Sequence, residues 1–391
     1  MALSTRALTH APVSLGRLAP LDALRGLIMV AMALDHANYF VAKRHSAGEF
    51  WFQEPPTYST DLDFLTRLVT HLAAPGFFFL MGAGMWLFTI SRRRAGWREG
   101  SIRRHLALRG ALLIALQLLV ENRAWGLALP PGVDFSFSFY MGVLYGLGGA
   151  LLFGSLLVGL PSRILVPLGI GLIALSNLFL ADTASGGSLD PLRALLLTAG
   201  SSGELSVYYP ILPWLGVSLL GICFARVFCL DGDSRTAPRA SLPWSAPLGL
   251  ALLTLFVILR LLGVGDPHAP AKGEWVAFLN VTKYPPSFDF LLLTLGANLL
   301  LLGVLAWVLM GWRLARVFLH PLLVFGQVPL FFYLLHLFLY ALLGILFAPQ
   351  GTTLEAMYPL WLLGLAILYP LCWGYARFKA SRPAASVWRF F

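Results

Sequence analysis

The chain has 391 residues, 58% of them hydrophobic and only 12% charged, with a mean hydropathy of +0.77, and no soluble fold can hide that much apolar surface. Its formal charge of +10, from 28 Lys and Arg against 18 Asp and Glu, would suggest nucleic acid in a soluble chain. In a membrane chain it records orientation instead, because cationic loops stay cytoplasmic, so no nucleic-acid partner is expected. Apolar runs about 20 residues long exclude a β-barrel, whose strands alternate over about ten residues. They require helices that satisfy their own backbone in lipid. The expected fold is all-α, a polytopic transmembrane helical bundle.

In chain order, residues 1–20 read as a cytoplasmic segment carrying Arg6 and Arg17. The first apolar run, from Leu21, has no small-residue cleavage site at its end and reads as a retained anchor. About ten spans follow from the apolar runs and their charged or Pro/Gly-rich breaks. They lie near 21–42, 66–90, 105–121, 136–158, 163–181, 209–229, 244–264, 287–311, 317–347 and 357–377. The ninth is longer than one crossing needs and contains Pro329, which predicts a kinked or broken helix. Residues 21–378 form one bundle and 379–391 a cytoplasmic tail, with the stretch Asp231 to Pro247 as a flexible linker and no internal repeat.

An N-in, C-in orientation gathers roughly twenty of the Lys and Arg on the cytoplasmic side, including Arg92, Arg93, Arg94, Arg98, Arg103 and Arg104. Acidic Glu49, Glu54, Asp61, Asp63, Asp182, Asp190 and Glu204 fall mainly outside. The longest outer connections, 43–65, 182–208 and 265–286, are where an extracytoplasmic ligand is expected to meet the protein.

Ionisable groups inside spans are costly and so mark function. The first span carries Asp22 and Arg25 at its cytoplasmic end and, roughly 20 Å further along, Asp35 and His36. Asp22 and Arg25 read either as a register-setting ion pair or, through Arg25, as a contact for an anionic cytoplasmic donor. Asp35 could fix the tautomer of His36 or face another helix. Arg67 and His71 share one face of the second span, and His336, counted from the start of the ninth run, lies roughly 28 Å up. Three histidines from three helices therefore converge at similar depth, unless each is simply a satisfied interior residue. Before the eighth span, Asn280, Lys283, Tyr284 and Asp289 combine amide, ammonium, phenol and carboxylate, either to orient a ligand or to anchor the interface. Cys223, Cys229 and Cys372 show no C-x-x-C spacing, and no H-x-x-x-H exists, so no metal is expected.

The blocks RLAPLDALRGLIMVAMALDH, THLAAPGFFFLMGAG, LPWLGVSLLG, FLNVTKYPPSFDFLLLTLG and VFGQVPLFFYLLHL resemble the bacterial DUF1624 membrane proteins, relatives of heparan-alpha-glucosaminide N-acetyltransferase. The spacing of Arg25 and His36 is also similar to the first-helix Arg-x10-His pattern of acyltransferase-3 proteins. The resemblance implies transfer of an acyl group, acetyl above all, from cytoplasmic acetyl-CoA or another acyl-CoA to an amine or hydroxyl of an extracytoplasmic sugar or glycolipid. It implies a multi-pass protein of the bacterial inner membrane, in contact with lipid, and a homodimer is compatible with it. His36 matches the acyltransferase-3 base. The heparan enzyme instead places its histidine in the following loop, which leaves His71 as the second candidate, with Asp35 beside them. Arg25 would hold the donor phosphate and the segment Asn280 to Asp289, with Lys283 and Tyr284, would orient the acceptor, while Asp22, Arg67 and His336 are further candidates for substrate binding. A proton-coupled transporter using Asp35, His36 and His71 is the alternative.

Overall fold

The computed structural model describes residues 18–44, 49–127, 139–178, 190–229, 241–268, 273–312, 314–383, 386 and 388. The segment with Arg6 and Arg17, Asp182 and most of the linker from Asp231 lie outside them. Sixteen α-helices run through the described residues. They are α1 (Ala19–Phe40), α2 (Asp61–Thr70), α3 (Ala73–Arg94), α4 (Glu99–Leu116), α5 (Asn122–Gly126), α6 (Val143–Leu157), α7 (Ser162–Leu178) and α8 (Pro191–Leu196). After these come α9 (Ile211–Phe228), α10 (Ser245–Leu262), α11 (Trp275–Leu279), α12 (Phe288–Gly311), α13 (Ala315–Phe318), α14 (His320–Gln327), α15 (Pro329–Phe347) and α16 (Leu354–Ser381). A π-helical turn, Gln117–Glu121, joins α4 to α5. Three short strands, β1 (Phe139–Met141), β2 (Gly200–Ser202) and β3 (Leu205–Val207), form a sheet of order β1-β3-β2, with Tyr140 opposite Ser206.

Within the described residues each apolar run expected from the sequence is mainly helical, although 136–158 includes β1 and 317–347 takes in part of α13 with α14 and α15, and the protein is an all-α membrane bundle. Seven of the described helical segments are long and apolar enough to cross a membrane, while α6 and α7 are apolar but shorter. In lipid the hydrophobic effect does not press helices together, so close approach of backbones at small residues supplies much of the packing. Gly82 of α3 lies against the Ser218 carbonyl of α9 and Gly221 of α9 against the Phe79 carbonyl of α3, so those helices run antiparallel. Gly110 and Gly148 make the same exchange between α4 and α6.

The run from 317 to 347 is not one crossing. Gly26 of α1 meets the Leu322 carbonyl and Gly326 meets the Asp22 carbonyl, an antiparallel order, whereas Gly344 of α15 meets the Phe40 carbonyl, so α15 climbs with α1. The chain breaks at Val328 (φ −132°, ψ 53°), where Pro329 at the first position of α15 has no N–H to offer α14. His336 therefore lies two turns, about 10 Å, into its helix, not 28 Å. Counting from position 317 had included α14 in the climb.

A Cβ at Gly26 or at Gly326 would sit 1.9 Å from a backbone carbonyl oxygen, whereas one at Gly84 meets nothing within 4 Å. Gly26→Ala and Gly326→Ala are expected to destabilise the protein by about 1 to 3 kcal/mol through overpacking, and Gly84→Ala to leave it unchanged. Thermal unfolding of the detergent-solubilised variants measures this.

Candidate active site

The short helix α2 starts where the Thr60 hydroxyl accepts a bond from Asp63 N at 3.2 Å. One turn apart on its inner face, Arg67 and His71 both reach Glu49, which arrives from the connection after α1. Arg67 grips both Glu49 oxygens as a fork through Nε and Nη2 and gives Nη1 to Asp35 of α1. His71 Nε2 donates to Glu49 Oε1 at 3.0 Å, and the Thr70 hydroxyl reaches Asp35 at 3.3 Å. Glu49, Arg67 and His71 are all buried. Burial by itself would raise the Glu49 carboxyl, but Arg67, His71 and Lys283 outweigh it and hold Glu49 well below the usual carboxylate range.

The Glu49 carbonyl accepts from Lys283 N at 3.2 Å and Tyr284 N at 3.0 Å, and Trp51 N returns a bond to the Tyr284 carbonyl at 3.3 Å. These bonds stitch the 280–287 segment to the same knot. Lys283 is buried with its ammonium 4.9 Å from the Tyr284 ring centroid. Burial and the neighbouring Arg67 lower its pKa to about 8 against the pull of Glu49 and Asp35.

The polar partner of His36 is His336, not Asp35. His36 Nδ1 and His336 Nε2 stand 2.6 Å apart with the rings stacked, and His336 Nδ1 lies 3.1 Å from the Phe332 carbonyl. A carbonyl only accepts, so His336 Nδ1 carries a proton and its Nε2 offers a lone pair. His36 must then donate from Nδ1, which leaves the lone pair of His36 on Nε2. Two of the three expected histidines thus meet, whereas His71 turns away to Glu49.

His36 lines one of two cavities that share Tyr333 in their walls. A basic chamber of about 330 Å³ is walled by a stripe of α3 (Phe77, Leu80, Met81, Gly84, Met85, Phe88) and by Met29, Leu106, Leu113, Leu147 and Leu151, with Arg25, Arg109, Gln327 and Lys379 as its polar groups. Arg25 is positioned by bonds of 2.9 Å to Asp22 and to the Gly326 carbonyl. An aromatic chamber of about 270 Å³ is lined by Asp35, His36, Glu121 and Lys283 among Tyr39, Trp125, Tyr140, Tyr208, Tyr209 and Tyr284. Tyr333 lines both.

The structure divides the residues singled out from the sequence. Asp35, His36, Lys283 and Tyr284 face the aromatic chamber, Arg25 faces the basic one, and Arg67, His71 and His336 stand directly behind these walls. Asn280 instead ties its loop to the Pro56 carbonyl at 3.0 Å. Asp289, fully buried, lies 3.9 Å from Arg260, which holds four backbone carbonyls of residues 268–280. Neither lines a chamber. Glu121, Trp125, Tyr140, Tyr208, Tyr209 and Tyr333 were not picked out in advance. Glu121 closing an apolar run was the one available signal, whereas aromatic residues are too common in membrane helices to stand out. Among the described residues no group of three or more His, Cys, Asp or Glu is placed to hold a metal ion.

A family model described as heparan-alpha-glucosaminide N-acetyltransferase, catalytic, matches residues 17–259, more than half of the chain. The chain belongs to this family. Comparison with curated proteins gives no match. The protein is thus an integral membrane protein of an acetyltransferase family. The matched segment carries Arg25, Asp35, His36, Arg67, His71 and Glu121, while Lys283, Tyr333 and His336 lie beyond it on α12's approach and α15.

Removing the Glu49 charge leaves Arg67 and Lys283 in the interior with Asp35 as their remaining carboxylate. Glu49→Gln is expected to cost about 3 to 5 kcal/mol of stability at neutral pH. Because the Glu49 pKa is depressed on folding, its contribution is complete above the ordinary carboxylate range and is lost as pH falls through the lower folded value. The gap in unfolding temperature between wild type and Glu49→Gln should therefore narrow only below about pH 4.

Proposed function

We propose that the protein moves an acyl group, acetyl in keeping with its family, from acyl-CoA held in the basic chamber to an amine or hydroxyl of a sugar held in the aromatic chamber. The observation that carries this reading is that Tyr333 lies in the walls of both chambers, with its ring against the His36–His336 pair. Arg25, Arg109 and Lys379 suit the phosphates of the donor, and the apolar stripe of α3 suits its pantetheine arm. Tyrosine and tryptophan rings offer flat faces to the C–H face of a sugar ring, while Asp35, Glu121 and Lys283 offer polar contacts to its substituents.

His36 serves as general base. Its Nε2 lone pair takes the acceptor proton as the acceptor attacks the thioester carbon, and an imidazole can return that proton to the departing thiolate near neutral pH. His336 acts through His36 by holding its tautomer. His71, committed to Glu49, holds the wall and takes no part in proton transfer.

The cationic cluster from Arg92 to Arg104 flanks the α3–α4 junction, and α3 continues from the basic chamber to that junction. This supports placing the donor chamber on the cytoplasmic face, with N- and C-termini inside. A multi-pass protein of the bacterial cytoplasmic membrane, acetylating an envelope glycan or glycolipid, fits the arrangement.

Purified protein in detergent, given labelled acetyl-CoA and mixed amino sugars, should form N-acetylated product. His36→Ala should lower kcat by about 100-fold or more. His336→Ala should cause a smaller loss, because the imidazole of His36 survives while its tautomer is released. His71→Ala should lower thermal stability and retain most of kcat. Solute movement in liposomes without consumption of acetyl-CoA would overturn the reading in favour of transport.

A further inference from the structure

Tyr333 is buried, and its hydroxyl is shielded from solvent, facing the Glu121 carboxylate without closing a hydrogen bond of full geometry to any described residue. Its ring meets His36 edge-on at 6.4 Å between centroids and His336 at 5.5 Å. Phenylalanine would fill the same space without the cost of an unmade hydrogen bond. A tyrosine at the one residue common to both chambers therefore points to an acceptor that arrives with the ligand. A second orphan adjoins it. Glu121 accepts from the Trp125 indole through Oε1 at 3.0 Å, whereas its buried Oε2 makes no hydrogen bond of full geometry and has the Tyr333 hydroxyl as its near neighbour. It lines the aromatic chamber and not the basic one. The π-helical turn supplies the extra residue that aims this carboxylate inward, a distortion common at functional sites.

Resting on the acyl-transfer reading above, we propose that Tyr333 and Glu121 are catalytic residues, Tyr333 donating its hydroxyl to the thioester carbonyl oxygen and Glu121 seating the acceptor amine. The amine arrives as an ammonium. Glu121 takes its first proton, which frees the nitrogen lone pair and leaves a neutral carboxyl beside the reacting carbonyl. The nitrogen forms a C–N bond to the thioester carbon, the carbonyl pair moves to the oxygen held by the Tyr333 O–H, and His36 Nε2 takes the second nitrogen proton. Collapse re-forms the carbonyl and breaks the C–S bond, and the thiolate leaves with the proton from His36. Glu121 releases its own proton to solvent, so amide, thiol and one proton balance ammonium and thioester. The oxyanion forms beside a buried side chain, where one preorganised donor counts most.

Tyr333→Phe should lower kcat about 100-fold, with the acceptor KM and the affinity for CoA, measured by calorimetry, unchanged. Glu121→Gln, which can seat an amine but cannot take its proton, should lower kcat/KM for amino-sugar acceptors by a similar factor. Should the variants fold poorly, infrared spectra of 13C-acetyl-CoA bound to wild type provide a second measure. The carbonyl stretch should fall below its position in water. A kcat within about two-fold of wild type in Tyr333→Phe, unchanged transfer in Glu121→Gln, or an unshifted carbonyl stretch overturns the proposal. Wild-type protein that consumes no acyl-CoA defeats the acyl-transfer reading itself, whereas active wild type with an equally active Tyr333→Phe overturns this proposal and leaves that reading standing.

Discussion

A buried arginine holds the site in place. Arg67 has no exit to solvent, so its charge must be met inside the protein, and the two carboxylates that meet it come from different parts of the chain, Asp35 on α1 and Glu49 on the following connection. Glu49 in turn offers its carbonyl to Lys283 and Tyr284, which brings the segment before α12 against the first helix. One guanidinium thereby fixes α1, α2 and two connecting segments relative to each other. The wall it builds carries Asp35, Lys283 and Tyr284 on its chamber side. Because an unpaired charge there is costly, the wall is held as a unit rather than as separate loops.

The histidine pair depends on a second constraint. His36 and His336 meet because α15 climbs beside α1, and α15 can do so because the chain turns at Val328–Pro329, with glycines at 26, 326 and 344 letting backbones touch. The turn also shapes the basic chamber, since Gln327, Pro329 and Leu330 line it. Family membership rests on residues 17–259, yet the partner of His36 and the tyrosine between the chambers lie past that stretch. The two parts of the chain make one site.

Much of this was legible in the residues. Apolar runs between charged or Pro/Gly-rich breaks located the helices, since lipid admits few alternatives to a self-satisfied helix. The rarity of ionisable groups within those runs drew attention to Asp35, His36, Arg67 and His71; Asp35 and His36 line the aromatic chamber, and Arg67 and His71 form the buried knot behind it. The eye was also drawn to Asn280 and Asp289, which brace a loop through Pro56 and Arg260. Sequence neighbours share a loop without sharing a cavity, because successive side chains point in different directions.

By itself the sequence determined the solvent, the helical class and the polar exceptions, because burial in lipid penalises each ionisable side chain whatever its neighbours. Pairing was decided only by the tertiary structure. Whether Asp35 served His36 or faced another helix, whether His336 met the other histidines or was simply a satisfied interior residue, and where the ninth run broke were decided by contacts between residues far apart in the chain. Hydrogen bonds reach only about 3 Å, so a side chain's chemistry follows the few atoms that packing brings to it.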